Sequence, residues 1–199
     1  MAISTDDGAT WSEPFLLNRD GKRFCDECVW PDREIAIASQ PNKVCYLLLD
    51  GQLVRQYSRW PHFISTAPHI AYAYVSDYEK LRPDITVRAT TLAQVATARG
   101  LPATAVEATV VEYNRNAVRP LEGGPWVLLG PAKAYFTTTE GSAAVNEELC
   151  VLDERSHIIP GLYAVGQNGL GGQILWGHGL HIGWAITSGR LIGNFLARQ

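Results

Sequence analysis

An α+β fold is predicted from three observations. Compact apolar runs closed by glycine or by Asp-Gly read as buried strands, at residues 44–49 and 162–165. Two consecutive stretches, 91–99 and 101–114, carry helical spacing and helix-end signals. A third helix, about 180–197, follows a glycine-rich loop.

The elements follow in chain order. Residues 15–18 are apolar and lead into Arg19-Asp20-Gly21-Lys22; Asp-Gly is a tight-turn signal, so 15–18 and 23–25 are expected to form a hairpin. Residues 44–49 read as a buried strand turning at Asp50-Gly51. The stretch 52–85 is rich in aromatics (Trp60, His62, Phe63, His69, Tyr72, Tyr74, Tyr78) and reads as irregular. The helix over 91–99 ends at Gly100, a capping residue, and Leu101-Pro102 opens the next, with Val106, Val110, Val111 and Tyr113 on or near its apolar face. Gly123-Gly124-Pro125 breaks the chain. Residues 134–139, 143–146 and 148–152 are strand-like, 153–159 a turn, and 162–165 a strand that stops at Gly166. The final helix is expected to give Ile182, Ala185, Ile186, Leu191, Ile192 and Phe195 to the core.

Composition narrows the function. Of 199 residues 46 % are apolar and 19 % charged, which suits a packed core rather than disorder. The net charge is −3 and Lys and Arg do not cluster, so no nucleic-acid partner is expected. The polar N-terminus lacks a secretory-signal pattern, and no apolar run reaches the ~18 residues of a membrane span. The expectation is a cytoplasmic protein. Cys25 and Cys28 form a C-x-x-C pair, open to redox or metal chemistry. No second pair completes a zinc set, so no metal is expected and the thiols read as isolated and reduced.

The segment 159–167, the loop 169–179 and the helix after it form a strand–loop–helix unit. Glycine permits close backbone approach there, and free helix N–H groups suit a carbonyl oxygen or an anion. The same glycines also serve plain packing turns, and spacing leaves both readings open.

The residues 159–166, with Gly177-His178-Gly179 and Thr187-Ser188-Gly189-Arg190, closely resemble the C-terminal FAD-binding segment of the fumarate reductase and 3-ketosteroid dehydrogenase flavoprotein superfamily. Upstream, the run Asp20-Gly21-Lys22-Arg23-Phe24-Cys25-Asp26-Glu27 resembles that family's G-[KR]-R-F-x-[ND]-E motif, and 101–114 is similar to a helix of its substrate-capping region. The resemblance implies the C-terminal half of a two-domain FAD flavoprotein. Residues 1–24 would give strands of the FAD domain, 25–133 the substrate cap, and 134–199 the C-terminal FAD-binding segment. It further implies that Gly166, Gln167, Gly179, His181 and Ile182 hold the cofactor, the last two through backbone amides near the flavin pyrimidine carbonyl.

The family's strand–GxGxxG–helix opening is absent from this sequence. Two explanations follow: a split flavoprotein, in which a second protein subunit carries the dinucleotide-binding half, or a truncated or degenerate product. Met1, and a chain starting just before the first matching strand, favour a separately encoded subunit. The strands at 15–18 and 162–165 would belong to a sheet that the missing half completes, leaving apolar surface to form a permanent interface.

Departures from the family set the expected substrate. The fumarate reductases' clamp Arg falls on Trp176, and their His-His-Thr on Thr137-Thr138-Thr139, so a dicarboxylate is not expected. The ketosteroid dehydrogenases' loop Tyr falls near Leu175. Leu175 and Trp176, with Tyr72 and Tyr74 from the cap, would line a pocket for a hydrophobic small molecule. Proton transfer is assigned to Arg55, His178 or His181. Arg55 follows a strand-Asp pattern similar to the family's, one residue further on, while the family's Glu–Arg relay falls on Glu27 and Trp30. The expected function is a subunit of an FAD-dependent oxidoreductase acting on a C–C bond beside a carbonyl. The alternatives are a non-catalytic binding or regulatory half, and a thiol or metal protein built on Cys25 and Cys28.

Overall fold

The computed structural model describes residues 15–29, 32–67, 70–133, 141–171 and 180–198. The chain divides into two units between Tyr135 and Phe136. The strands and helices together form a mixed α+β fold.

The first unit is built on a four-stranded antiparallel sheet of β1 (Phe15–Leu17), β2 (Cys45–Leu49), β5 (Thr86–Ala89) and β6 (Trp126–Ala132), in the order β1-β2-β6-β5. Leu16 stands opposite Leu47, which in turn faces Leu129. Strand side chains alternate between faces, and here both faces are covered. Leu47, Leu49 and Leu129 point into one core with Leu53, Tyr57 and Val75; Tyr46, Leu48 and Leu128 point into the other with Val95, Val106 and Val110. That is why β2 reads as an unbroken apolar run: all five of its residues are buried. Each such Leu contributes about 1.5–3 kcal/mol of burial.

The helices α1 (Asp32–Ser39), α2 (Gly51–Gln56) and α3 (Val75–Leu81) supply the first core, and α4 (Leu92–Ala98) and α5 (Ala103–Asn116) the second. Both expected central helices form. Thr91 caps α4 by accepting from the Gln94 N–H at 3.3 Å, and Gly100, at φ +67°, carries the turn into α5. The 15–25 hairpin closes with a single bridge, Leu17 to Arg23.

Several expectations change. Asp50 does not open a simple turn. Its side chain accepts from the Leu53 N–H at 2.9 Å and so starts α2, because an Asp that favours turns caps helices equally well. The stretch 52–85, read as irregular, holds α2, the hairpin of β3 (Ser65–Ala67) and β4 (Ala71–Ala73), and α3. Each is shorter than the window in which periodicity shows. β1 is buried and pairs with β2 at one edge of the sheet.

The second unit contains β7 (Cys150–Leu152), β8 (Ile158–Tyr163) and α6 (Leu180–Leu196). β7 and β8 pair antiparallel across a turn closed by the Asp153 N–H to the His157 carbonyl at 2.8 Å. β8 begins at Ile158 and runs through Pro160-Gly161, earlier than the expected start at 162. Residues 143–146 contribute one bridge, Val145 to Val151, instead of a strand. The strand expected at 134–139 lies outside the described residues. The expected core positions of α6 are also corrected: Ile182, Ala185, Ile186, Leu191 and Phe195 are exposed, and Ser188 is the buried residue of the helix. Periodicity shows that a helix needs cover without saying which polypeptide supplies it.

Candidate functional site

The strand–loop–helix unit is locked by side chains of its own helix. From β8 the chain reaches Gly166, buried and at φ +57°, and passes through a 3-10 turn over Gly166–Gly169. Ser188 is fully buried; its Oγ accepts from the Gly166 N–H at 2.9 Å and donates to the Trp184 carbonyl at 2.6 Å. Trp184 Nε1 donates to the Gly169 carbonyl at 3.2 Å. A Cβ at Gly169 would stand 2.2 Å from the Ala164 carbonyl oxygen, so no side chain fits there. On its other side the turn is tied to residues 142–143. The Leu170 N–H donates to Ser142 Oγ at 3.1 Å, and the Ala143 N–H to the Asn168 carbonyl at 3.0 Å.

The candidate cofactor residues flank this lock. Gly166 spends its N–H on Ser188, so any further contact there runs through its carbonyl or bare Cα. Gln167 is half-buried in the 3-10 turn. His181 and Ile182 lie in the first described turn of α6; His181 is half-buried and Ile182 exposed. Gly179, Leu175, Trp176 and His178 lie outside the described residues, as does Trp30.

The remaining candidates sit on the first unit. Arg55, in the last turn of α2, is exposed and 3.8 Å from Glu122 Oε2, a loose surface pair. Tyr72 is exposed on β4 and belongs to a three-ring cluster. Its ring centroid lies 5.0 Å from Trp60 and 4.8 Å from Phe63, and Trp60 and Phe63 stack at 6.3 Å. Tyr74 is half-buried and serves α3, its N–H donating to Asp77 Oδ2 at 2.9 Å. Tyr72 and Tyr74 are thus close in sequence but differ in situation.

Two carboxylates hold the first unit together. Glu27, from the G-K-R-F-x-D-E run, is buried. It accepts from the Leu16 N–H at 2.9 Å and from Arg23, whose guanidinium lies over the Phe15 and Tyr113 rings at 5.8 and 5.3 Å. The motif therefore pins β1 to the loop that follows it. Asp50, fully buried, caps α2 and accepts from the Glu122 N–H at 2.9 Å. Ser188 was visible as part of Thr187-Ser188-Gly189-Arg190, but sequence does not reveal that its hydroxyl bonds back to Gly166.

The thiols are poorly suited to nucleophilic chemistry. Burial pushes Cys25 up to about 11 and Cys45 up to about 12, and burial with the nearby Asp26 raises Cys28. Among the described residues no group of three or more His, Cys, Asp or Glu could hold a metal ion.

No family model matches the chain. A curated fumarate reductase (cytochrome) of Shewanella frigidimarina is 26 % identical over 92 % of this chain and 32 % of its own length. In sequence the chain is similar to this fumarate reductase. It spans about a third of the length of these curated relatives. In fold, the chain resembles the open conformation of a flavocytochrome c3 fumarate reductase, with a TM-score of 0.68 at 23 % identity over 96 % of this chain and 33 % of that one. It also resembles the 3-ketosteroid Δ1-dehydrogenase of Sterolibacterium denitrificans, with a TM-score of 0.63 at 19 % identity over 99 % of this chain and 42 % of that one. The fold is that of the C-terminal portion of the FAD flavoproteins. Among the described residues no helix is long and apolar enough to cross a membrane.

Proposed function

We propose that this chain supplies the substrate cap and the isoalloxazine side of the flavin site to an FAD-dependent oxidoreductase, with a partner polypeptide providing the dinucleotide-binding half. The locked turn of Gly166–Gly169 leading to α6 carries the reading, taken with the kinship to fumarate reductases. The residues present fit a flavin. Ser188 and Trp184 fix a glycine turn beside the helix, and His181 and Ile182 lie near the start of α6.

Gly166 and Gln167 would hold the cofactor's chain, and His181 and Ile182 its pyrimidine edge. FAD, when bound, gives or takes a hydride. The amides at the start of α6 favour negative charge next to them, which stabilises the reduced state. Proton transfer to or from the second substrate carbon falls to Arg55, His178 or His181.

The reaction is the dehydrogenation or reduction of a C–C bond next to a carbonyl in a mostly apolar small molecule. Support for an apolar substrate comes from Trp176 and Thr137-Thr138-Thr139, which replace the carboxylate handles, and from the exposed ring cluster around Tyr72. The test is anaerobic. In the FAD-loaded complex, a saturated cyclic ketone should bleach the oxidised flavin, or a cyclic enone should reoxidise the reduced one. Reoxidation by fumarate with no response to either ketone contradicts the apolar assignment.

A further inference from the structure

An asparagine side chain is most open to attack by its own backbone when glycine follows, because glycine has no Cβ to shield its nitrogen. Asn168-Gly169 is the one such pair in the chain. It closes the 3-10 turn Gly166–Gly169. Asn168 is exposed, and among the described residues no hydrogen bond holds its side-chain amide. Asn18, Asn114 and Asn146 differ: their side-chain oxygens accept from the N–H groups of Asp20, Leu121 and Glu148, and none precedes glycine.

The backbone around the pair is tied down. The Asn168 carbonyl accepts from the Ala143 N–H at 3.0 Å, and the Gly169 carbonyl from Trp184 Nε1 at 3.2 Å. Two residues earlier, the Gly166 N–H is held by Ser188. Attack by the Gly169 nitrogen on the Asn168 amide carbon needs a ψ at Asn168 outside the 3-10 range. The ring therefore closes when the turn opens, and the bonds to Ser188 and Trp184 set how often it does.

We propose that Asn168-Gly169 is a modification site, at which Asn168 converts through a succinimide to isoaspartate or aspartate when the turn opens. The Gly169 nitrogen loses its proton and bonds to the Asn168 side-chain carbonyl carbon, and the side-chain nitrogen leaves as ammonia. Water then opens the five-membered ring at either carbonyl. Opening at the main-chain carbonyl gives isoaspartate, with the chain running through the former side chain and one backbone atom longer. Opening at the other gives aspartate. The net exchange is one water taken up and one ammonia released, with no oxidant or cofactor.

Either product puts a negative charge in the turn. Isoaspartate also lengthens the backbone beside Gly169, where even a Cβ would stand 2.2 Å from the Ala164 carbonyl oxygen. The chemistry stands apart from the flavin reading, but its consequence rests on it: a turn that holds the cofactor's chain should hold it less well once modified.

Incubating the purified full chain at mildly alkaline pH, then mapping its peptides by mass spectrometry with isoaspartate separated from aspartate by chromatography, tests the proposal. Wild type, Ser188→Ala, Ser188→Thr and Asn168→Gln are compared, with wild type unfolded in urea as the open reference. The one-dalton gain should appear at Asn168 before any other asparagine, and fastest in urea. Ser188→Ala should react at least about fivefold faster than wild type, and Ser188→Thr close to it. Asn168→Gln, whose ring would be six-membered, should stay unmodified at that position. A native chain that gains mass at Asn116 or Asn194 as fast as at Asn168 overturns the proposal, and so does an equal rate in wild type and Ser188→Ala. Modification in the expected order, with aged and fresh chains taking up FAD equally beside the partner, leaves the site standing and contradicts the placing of the cofactor at this turn.

Discussion

Ser188 joins the helix α6 to the glycine turn before it: its Oγ takes the Gly166 N–H at 2.9 Å while giving its proton to the Trp184 carbonyl at 2.6 Å. One buried hydroxyl thus sets both the start of the turn and the position of the helix below it. Gly166 has a positive φ and a buried amide, so removing the Ser188 hydroxyl takes away the acceptor that amide uses.

Ser188→Ala should therefore loosen the turn. The orphaned N–H costs about 1–3 kcal/mol. Hydrogen exchange should accelerate over residues 164–170 and leave β2 unchanged. Ser188→Thr retains the hydroxyl and should restore much of the protection.

Glu27 is expected to matter for stability rather than chemistry. Glu27→Gln keeps an acceptor for the Leu16 N–H but loses the ion pair with Arg23. Glu27→Ala loses both and should cost about 1–3 kcal/mol in urea unfolding, with Glu27→Gln in between. Equal losses for the two would show that the Leu16 contact contributes nothing.

These two residues also mark how far sequence carried the reading. β2, α4, α5 and the extent of α6 were legible because long apolar runs, Gly100 and the Leu101-Pro102 opening state their own limits. α2 was hidden because Asp50-Gly51 is as good a turn as a cap until the Leu53 N–H is seen on the Asp50 side chain. Glu27 and Ser188 were visible as motif members, but their partners Leu16 and Gly166 lie 11 and 22 residues away, beyond any local rule. The exposed face of α6 was read as core because apolar periodicity is the same whichever polypeptide covers it.

Arg55 separates structure from catalysis. Its contact with Glu122 is exposed on both sides at 3.8 Å, so Arg55→Ala should shift stability by less than about 0.5 kcal/mol. Turnover of the assembled enzyme lost with stability unchanged assigns the proton to Arg55. Unchanged turnover passes the role to His178 or His181.

Thiol reactivity should follow pH with a defined order. Cys28, exposed, is alkylated first. Cys25, pushed up to about 11, has about one thiolate in a thousand at pH 8, and Cys45, up to about 12, fewer still. In the unfolded chain these thiols release protons near their ordinary value, while the folded chain holds them. Above about pH 9 the unfolded state binds fewer protons, so stability falls as pH rises further. Iodoacetamide rates followed by mass spectrometry between pH 7 and 11 check both statements; a Cys25 that reacts as fast as Cys28 at pH 8 contradicts them.

If this chain and a dinucleotide-binding partner together make one flavin site, the visible spectrum of the purified pair reports it. A stable complex with flavin absorbance near one FAD per pair, and a colourless lone chain, are expected. A pair that forms without flavin, or a lone chain that binds FAD unaided, contradicts it.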